Sequence, residues 1–462
     1  MVTEPGLAAQ SFPPEAPEQE AAAPERNPST WAVLRPLVLR LHFYAGVFIA
    51  PFLVIAALTG MLYVFTPQLE QAFYAHELHV PAAATTTPLS EQIAVAQTVR
   101  PGEQLQAVRP GATPTDTTQV IFKAPDLPDS YQRTVFIDPH TTEIRGDLVT
   151  YGSGQALPLR AWIDNLHRGL HLGDTGRLYS ELAASWLWVV VLGGVALWIG
   201  RPRRNRRARS LLAPELRPAG RRRVLSWHGA VGLWAALGLL FLSATGLTWS
   251  VHAGENVTAA RAQLSWETPA VTAQLPSPPS SDVGIDRVHQ AALGAGLDGQ
   301  VEITPPEGAG SAYTVQQQGR TWPTKQDQVA VDPSTGTITE TVRFADYPLM
   351  AKLARWGVDA HMGLLFGLVN QLLLVGLMLA LLSMIFWGYR MWWLRRPTRG
   401  DGRIGRPPER GVWRRIPGRI MAPIIVGAAF VAYFLPLLGA SLLVFLVVDI
   451  VLGSRARRST GV

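Results

Sequence analysis

The chain has 462 residues and a net charge of +7; 48% of its residues are hydrophobic, only 16% are charged, and none is cysteine. A soluble domain has about 25% charged residues, so this composition indicates a membrane protein. The lack of cysteine excludes disulfides, thiolate metal sites, iron–sulfur clusters and covalently attached c-type haem.

The chain begins with a polar segment, residues 1–30, which is rich in Pro, Ala and Glu. This composition predicts a disordered cytoplasmic tail and not a signal peptide. Five long apolar stretches follow, each able to cross a hydrocarbon core of about 30 Å, which needs roughly 20 helical residues. The last stretch, Met421–Leu452, is long enough for two passes that turn near Pro436. The predicted spans are therefore 39–65, 177–200, 226–250, 361–390, 420–435 and 437–453.

Arginine clusters beside the predicted spans set the expected orientation. They are Arg201–Arg209, Arg221–Arg223, Arg395–Arg399 and Arg455–Arg458. Under the positive-inside rule, these clusters lie in the cytoplasm and are not a nucleic-acid site. The expected cytoplasmic segments are 201–224, 391–419 and 454–462, and the expected extracytoplasmic segments are 66–176 and 251–360.

An internal repeat organises the chain. Two segments, "RLHFYAGVFIAPFLVIAALTG" (Arg40–Gly60) and "SWHGAVGLWAALGLLFLSATG" (Ser226–Gly246), have a His, a Gly and a closing Thr-Gly at matching positions. The constant number of residues between corresponding positions of these segments is called here the span offset. Two Asp-Pro turn motifs, at Asp138 and Asp332, define a slightly larger module offset, and each is flanked by short β-rich runs that predict a hairpin. The repeating unit is a span, an external α+β module, a histidine-bearing segment and a second span. Because corresponding spans enter from the same side, this is a parallel duplication.

Four histidines recur at matched depths of the repeat. His42 and His228 are expected near the cytoplasmic surface, and His167 and His361 near the outer surface. A histidine at the edge of a membrane helix is costly and usually functional. On an ideal helix, the following glycines share a face with His42 or His228 and leave room for a flat group. These glycines are Gly46, Gly60, Gly232 and Gly246.

Haem fits this pattern, because two neutral imidazoles from facing helices ligate b-type iron axially. The two levels predict two b-type haems that form an electron path across the bilayer. His171, one turn from His167, is a second choice for the outer ligand. The alternatives at this point are histidines that face lipid headgroups and glycine-rich faces that only pack helices. A zinc site is weakly indicated by "HELH" (His76–His79), and His140, His252 and His289 are interpreted as structural.

Several motifs together resemble one family. They are "LRLHFYAGVFIAPFLVIAALTG", "IDPHTTEIRGD", "NLHRGLHLGDTGRLYSELAASWLWVVVLGGVALWI", "WHGAVGLWAALGLLFLSATG", "VDPSTGTITE", "VDAHMGLLFGLVNQLLLVGLMLALLSMIFWGYRMWWLRRP" and the ending "FLPLLGASLLVFLVVDIVL". The sequence resembles the PepSY-associated transmembrane proteins, a group of iron-regulated bacterial inner-membrane proteins that includes ferric-siderophore reductases. The resemblance covers roughly Leu39 to Pro397. One departure is Thr142, which stands where the family's turn usually has glycine.

The apolar runs and the repeat predict four core transmembrane helices in two parallel repeats plus a C-terminal helical hairpin. The resemblance implies two extracytoplasmic α+β PepSY-like modules on this helical bundle. It also implies a multi-pass protein of the bacterial plasma membrane, with a cytoplasmic N-terminus and b-type haems ligated by His42, His228, His167 and His361. Such an oxidoreductase would take electrons from a cytoplasmic or quinone donor and reduce a ferric siderophore or other ferric chelate. The alternative is a non-redox PepSY membrane protein that binds a peptide or protease outside the membrane. A transporter ranks lower, because among the apolar runs only that of Asp449 contains an acidic or basic residue.

Overall fold

A computed structural model describes residues 29–201, 209–395, 408 and 410–459. The predicted N-terminal tail, apart from its last two residues, lies outside the described residues. Parts of the predicted cytoplasmic segments also lie outside them, namely 202–208, 396–407, 409 and 460–462.

The described chain alternates long apolar helices with sheet-forming segments. Its α-helices are α1 (Thr30–Phe48), α2 (Ala50–Val64), α3 (Thr66–Phe73), α4 (Ala75–Leu78), α5 (Leu89–Val99), α6 (Pro158–Gly169), α7 (Gly173–Ile199), α8 (Arg209–Leu212), α9 (Gly220–Leu247), α10 (His252–Gln263), α11 (Ile285–Gly294), α12 (Leu349–His361), α13 (Gly367–Trp393), α14 (Gly418–Phe434) and α15 (Pro436–Ser459). Its strands are β1 (Leu105–Arg109), β2 (Thr118–Lys123), β3 (Tyr131–Ile137), β4 (Ile144–Tyr151), β5 (Val301–Thr304), β6 (Tyr313–Gln317), β7 (Gln328–Val331) and β8 (Ile338–Val342).

The helical part has the dimensions of a membrane bundle. Within the described residues, α7, α9, α13 and α15 are each long and apolar enough to cross a membrane, and α1 and α2 qualify together as one bent span. The last apolar run is divided, as predicted, with α14 ending at Phe434 and α15 beginning at Pro436. Helix α14 has 17 residues and is a shorter apolar helix. These features confirm a polytopic helical membrane protein.

The first predicted span is not one straight helix. α1 and α2 meet at an angle of 56° at Ile49. Pro51 explains the break, because proline has no N–H to donate to the carbonyl of Val47 and its ring clashes with the preceding turn. The hydroxyl of Tyr389 donates a hydrogen bond of 2.8 Å to that Val47 carbonyl. In the second half of the repeat, Leu237 stands at the position of Pro51, and α9 continues unbroken through it.

The strands from both external segments form one sheet. Its eight strands run in the order β4-β3-β2-β1-β5-β6-β7-β8, with every neighbouring pair antiparallel. The order of elements is the same in both halves: a helix, four strands, a second helix and a spanning helix. The second helix carries a histidine at its last residue in one half and two residues before its end in the other. Strands β1 and β5 join the halves where Val108 pairs with Ile303.

The joint between the halves is buried and charged. Arg109 of β1, which is buried, forms a 2.7 Å ion pair with Glu302 of β5. Asp286 of α11 accepts hydrogen bonds from the backbone N–H groups of Leu89 and Ser90 at the start of α5. Both helices pack against the same hydrophobic core as the central strands. The two predicted modules therefore share one sheet and one core.

The two predicted Asp-Pro hairpins are confirmed as β3–β4 and β7–β8. Their turns match in conformation: Thr142 has a φ of 61°, and Gly336, its counterpart at the module offset, has a φ of 71°. A side chain in this left-handed region costs about 1–2 kcal/mol, which only glycine avoids. The departure noted at Thr142 therefore preserves the turn geometry, and the first hairpin adopts it with a β-branched residue.

Replacing Thr142 with glycine should stabilise the external domain by about 0.5–1 kcal/mol, because relief of backbone strain exceeds the entropy that glycine adds to the unfolded chain. The matched change, Gly336→Ala, should destabilise it, since the new Cβ would lie 3.1 Å from Cγ of Arg287 in addition to the strained φ. Thermal unfolding of the detergent-solubilised variants measures both effects. A lower melting temperature for the Thr142→Gly variant would show that Thr142 stabilises the turn by other means.

Candidate functional site

His42 of α1 and His228 of α9 lie together, far from the sheet, and are called here the sheet-distal pair. Their ring centroids are 6.2 Å apart and their planes are nearly perpendicular, at 81°. Since metal–imidazole bonds are about 2 Å long, this separation is of the size expected for two imidazoles on one metal atom. The repeat predicted that these two histidines lie at the same depth, and in the structure their rings are in contact.

The hydrogen bonds of the sheet-distal pair define its tautomer. Nδ1 of His42 lies 2.9 Å from the carbonyl of Val190 in α7, and Nδ1 of His228 lies 3.0 Å from the carbonyl of Met384 in α13. A carbonyl only accepts, so each Nδ1 carries a proton and the lone pair of a neutral ring is on Nε2. Within the described residues, neither Nε2 has a hydrogen-bond partner. The two acceptors, Val190 and Met384, are separated by the module offset. Equivalent positions of the repeat therefore supply the acceptor for each ring.

His167 near the end of α6 and His361 at the end of α12 form the sheet-proximal pair. The two rings are close enough to interact electrostatically. Nδ1 of His167 lies 2.9 Å from Oγ1 of Thr59, and Nδ1 of His361 lies 2.6 Å from Oγ1 of Thr245. These threonines correspond at the span offset, one in each copy of the repeat.

The two threonines fix the tautomer of the sheet-proximal pair. Oγ1 of Thr59 donates its only hydrogen to the backbone at 2.8 Å from the Ile55 oxygen, and Oγ1 of Thr245 does so at 2.8 Å from the Phe241 oxygen. Each hydroxyl therefore accepts from a histidine Nδ1–H. Nε2 is again left with a free lone pair and, in the described part of the chain, no hydrogen-bond partner. Burial lowers the pKa of His167 to about 4, so this ring is neutral at physiological pH.

The pairs lie at two levels of the bundle. His228 and Gly246 both belong to the continuous helix α9 and are separated by about 27 Å along its axis, at a rise of about 1.5 Å per residue. Gly246 lies beside His361, since a Cβ added to it would be 3.8 Å from Cε1 of that ring. The sheet-distal and sheet-proximal pairs are therefore near opposite ends of the helices.

The predicted glycines have distinct surroundings. A Cβ on Gly60 would lie 3.2 Å from Cε1 of His167, so this glycine makes room for the imidazole itself. Open space adjoins Gly46, whereas a Cβ on Gly232 would lie 3.1 Å from the sulfur of Met384. Gly194 was not among the predicted residues, and a Cβ there would approach Cε1 of His42 to 2.9 Å. Because of the break at Ile49, Gly60 and His42 are not on one continuous helix.

His171 lies apart from both pairs. It is exposed in the turn between α6 and α7, with its ring centroid 4.9 Å from that of Trp162. The structure therefore does not bring this second choice of ligand to the sheet-proximal pair.

The histidines of the external segment bind protein groups. His76 contacts the guanidinium of Arg145, and His79 contacts Gln71 and Asp116, so the "HELH" residues are held separately. His140 lies in the β3–β4 turn, where its ring contacts two backbone carbonyls.

A buried ionic cluster positions His361. Asp359, fully buried and two residues before His361, accepts a 2.7 Å hydrogen bond from Nε of Arg320 and lies 2.9 Å from Nε of Arg355. Arg320 also contacts the sulfur of Met362. Since Arg320 comes from the connection between β6 and β7, the cluster ties the end of α12 to the sheet domain.

The chemistry of this arrangement follows from its donors. It offers four imidazoles in two pairs, each with Nδ1 held by the protein and with Nε2 lacking a hydrogen-bond partner among the described residues. Metal-ligating histidines typically have this second hydrogen bond, which orients the ring and raises its basicity. The positioning groups Thr59, Thr245, Val190 and Met384 were not predicted, although the Thr-Gly dipeptide that closes both copies of the motif was the available signal for the threonines.

The fold and site define a class: a polytopic helical membrane protein with an eight-stranded antiparallel sheet and repeated histidine pairs. The sequence model of the PepSY-associated transmembrane region matches residues 39–395, more than half of the chain. The chain belongs to this family, as its motifs indicated. A search of curated proteins found no match.

Proposed function

We propose that this protein is a b-type haem protein of the bacterial plasma membrane that passes electrons outward to reduce a ferric chelate during iron uptake. The observation that supports the proposal most directly is the state of the four histidines. Each donates from Nδ1 to a fixed acceptor, Nε2 has no hydrogen-bond partner in the described parts of the chain, and the two members of each pair come from corresponding positions of the repeat.

The residues fit haem. His42 and His228 would hold one group and His167 and His361 the other, and with no cysteine in the chain both groups would be bound non-covalently. When bound, haem held by two imidazoles would supply reversible one-electron chemistry. Around it, the acceptors of the Nδ1 protons keep the rings in the ligating tautomer. The neutral state of His167 means that no proton must be lost before ligation.

The direction of transfer follows from the proposed topology. With the arginine clusters in the cytoplasm, the sheet-distal pair lies near the cytoplasmic face and the sheet-proximal pair near the sheet domain outside. A cytoplasmic or quinone donor would deliver electrons to the first pair. Reduction of the bound ferric ion outside loosens its chelate, because Fe²⁺ is a softer ion than hard oxygen ligands prefer.

An absorption spectrum of the purified protein tests the proposal. Protein from haem-replete cells should show a sharp α-band of low-spin b-type haem after dithionite reduction, with about two haems per chain by pyridine haemochrome. A colourless preparation would contradict the proposal. It would favour the alternative, a PepSY protein that binds a peptide or protease and in which the histidines only pack.

A further inference from the structure

Helix α12, which carries His361 at its end, has two different sides. One side holds Ala351 and Asp359, which are both buried against the protein. The other side holds Leu349 and Leu353, whose side chains are 65% and 46% exposed. At 100° per residue, these two sets lie on opposite sides of an ideal helix. α12 is therefore amphipathic, with an apolar side that faces away from the rest of the protein.

Aromatic residues continue this apolar side to the spanning helix α13. Trp356, one turn after Leu353, has its ring centroid 5.5 Å from that of Trp322 in the β6–β7 connection. The ring of Trp322 is in turn 6.2 Å from that of Phe366, the residue before α13, and both side chains are 54% exposed. The backbone N–H of Trp322 donates a 2.7 Å hydrogen bond to the carbonyl of Leu365, which fixes the connection to the start of α13. The exposed and partly exposed residues called here the α12 surface are Leu349, Met350, Leu353, Trp356, Trp322 and Phe366.

The length of α13 sets the level of the α12 surface relative to the membrane. α13 has 27 residues, which is about 40 Å of helix. This length covers a hydrocarbon core of about 30 Å and reaches the headgroup region at both ends. Leu368 and Val369, in the first turn of α13, are 60% and 64% exposed, as expected of side chains that face lipid. Phe366 therefore lies at the interfacial layer, where tryptophan and tyrosine are enriched in membrane proteins.

The first half of the repeat has only part of this surface. Trp162 corresponds to Trp356 at the module offset and is 53% exposed. The counterpart of Leu349, however, is Gln155, which is only 8% exposed and whose amide oxygen contacts two threonine hydroxyls of the sheet. Both halves thus have a tryptophan before the spanning helix, but the second half extends the apolar side to the start of α12.

We propose that the α12 surface binds lipid in the interfacial layer, on the side of the membrane that holds the sheet, so that α12 lies on the bilayer. Lipid is the occupant because the surface joins the lipid-facing side of α13 at Phe366 without a break. A helix with one apolar and one polar side is stable in this layer, where its apolar side chains leave water. Since His361 is the last residue of α12, the lipid contact also supports one member of the sheet-proximal pair. The inference goes beyond the proposed function and does not depend on haem.

The absence of cysteine allows single labelled positions to test the proposal. Leu349→Cys and Leu353→Cys would each carry a nitroxide, in phosphatidylcholine nanodiscs that hold one chain each. Electron paramagnetic resonance then measures collisions with oxygen, which concentrates in lipid, and with a water-soluble nickel chelate. Both labels should collide with nickel about fivefold less than a label on Leu293→Cys, because the interface excludes the chelate.

Two reference positions calibrate these measurements. Leu293, 49% exposed on α11, represents the water-facing sheet domain, and Val369→Cys on α13 represents a lipid-facing position. Nickel collisions at Leu349 and Leu353 as frequent as those at Leu293 would overturn the proposal. The assignment to lipid would also fail if liposomes, which hold several chains, shielded both labels from oxygen and nickel and broadened their spectra by spin–spin coupling. That result would mean that a second copy of the chain covers the surface.

Trp322→Phe provides a test without cysteine. The fluorescence that this variant lacks, relative to the unmodified protein, is the emission of Trp322. Brominated phosphatidylcholine should quench that emission, and acrylamide in the water should not, because the indole lies among lipid headgroups. Quenching by acrylamide and not by the brominated lipid would place Trp322 in water and refute the proposal.

Discussion

Replacing His228 with alanine is expected to reduce the low-spin bis-imidazole signal of the haem-loaded protein by about half. A b-type haem would be held here by its two imidazoles and by packing alone, so losing one imidazole would release the group or change its spin state. Both outcomes remove the low-spin signal of that site. Electron paramagnetic resonance of the oxidised protein measures the loss, with total haem from the pyridine haemochrome.

Double variants test the pairing that the structure shows. His42→Ala should have the same effect as His228→Ala, and the two together should cost no more than either alone, because in the proposed function both rings hold one haem. Combining His42→Ala with His361→Ala should remove the entire low-spin signal. Additive losses within the sheet-distal pair would mean that its two rings, despite the 6.2 Å separation, serve different sites.

His171→Ala is the matched control for this series. His171 follows His167 by one helical turn in the sequence, but its ring lies against Trp162 in an exposed turn. The His171→Ala variant should keep both low-spin signals. If it lost the signal that His361→Ala also loses, His171 and not His167 would be the partner of His361.

The second large effect is expected at Asp449, the acidic residue in the last apolar run. Its carboxylate pairs with Arg40 of α1, a residue only 5% exposed, and Nε of Arg410 lies 3.8 Å away. Arg40 also donates a 2.7 Å hydrogen bond to the carbonyl of Pro408 and lies over the ring of Tyr44. Asp449 thus fastens the C-terminal helix to α1, close to His42.

Asp449→Leu should destabilise the protein by about 3–5 kcal/mol, because it removes the counter-charge of a buried guanidinium. The double variant Arg40→Met with Asp449→Leu should recover most of that loss, since a well-packed apolar pair replaces a buried ion pair at little cost. Thermal unfolding in detergent measures the stability, and the low-spin signal of the sheet-distal pair reports whether α1 has shifted.

An exposed ion pair serves as the control for the buried pair of Arg40 and Asp449. Glu215 and Arg222 form a 3.1 Å ion pair in which the arginine side chain is largely exposed, and Glu215→Gln should cost less than about 1 kcal/mol. If Asp449→Leu had an equally small effect, the contact between α15 and α1 would contribute little to the fold.

Much of the architecture could be predicted from local sequence. Long apolar runs need no partner to be recognised as spans, and the Asp-Pro turns of both hairpins follow from the two residues at each bend. The constant offsets of the repeat also identified His42, His228, His167 and His361 as a set. A repeat predicts which positions correspond, because the same local structure is built twice.

The tertiary structure decided which groups meet. Thr59 and His167 are 108 residues apart, and Arg40 and Asp449 are 409 apart, so no periodicity predicts either contact. The joining of the two modules through β1 and β5 also depends on packing between distant segments. Composition and spacing determined that this chain crosses a membrane with paired histidines. The orientation of their rings depends on hydrogen bonds and close contacts that form only when the helices assemble.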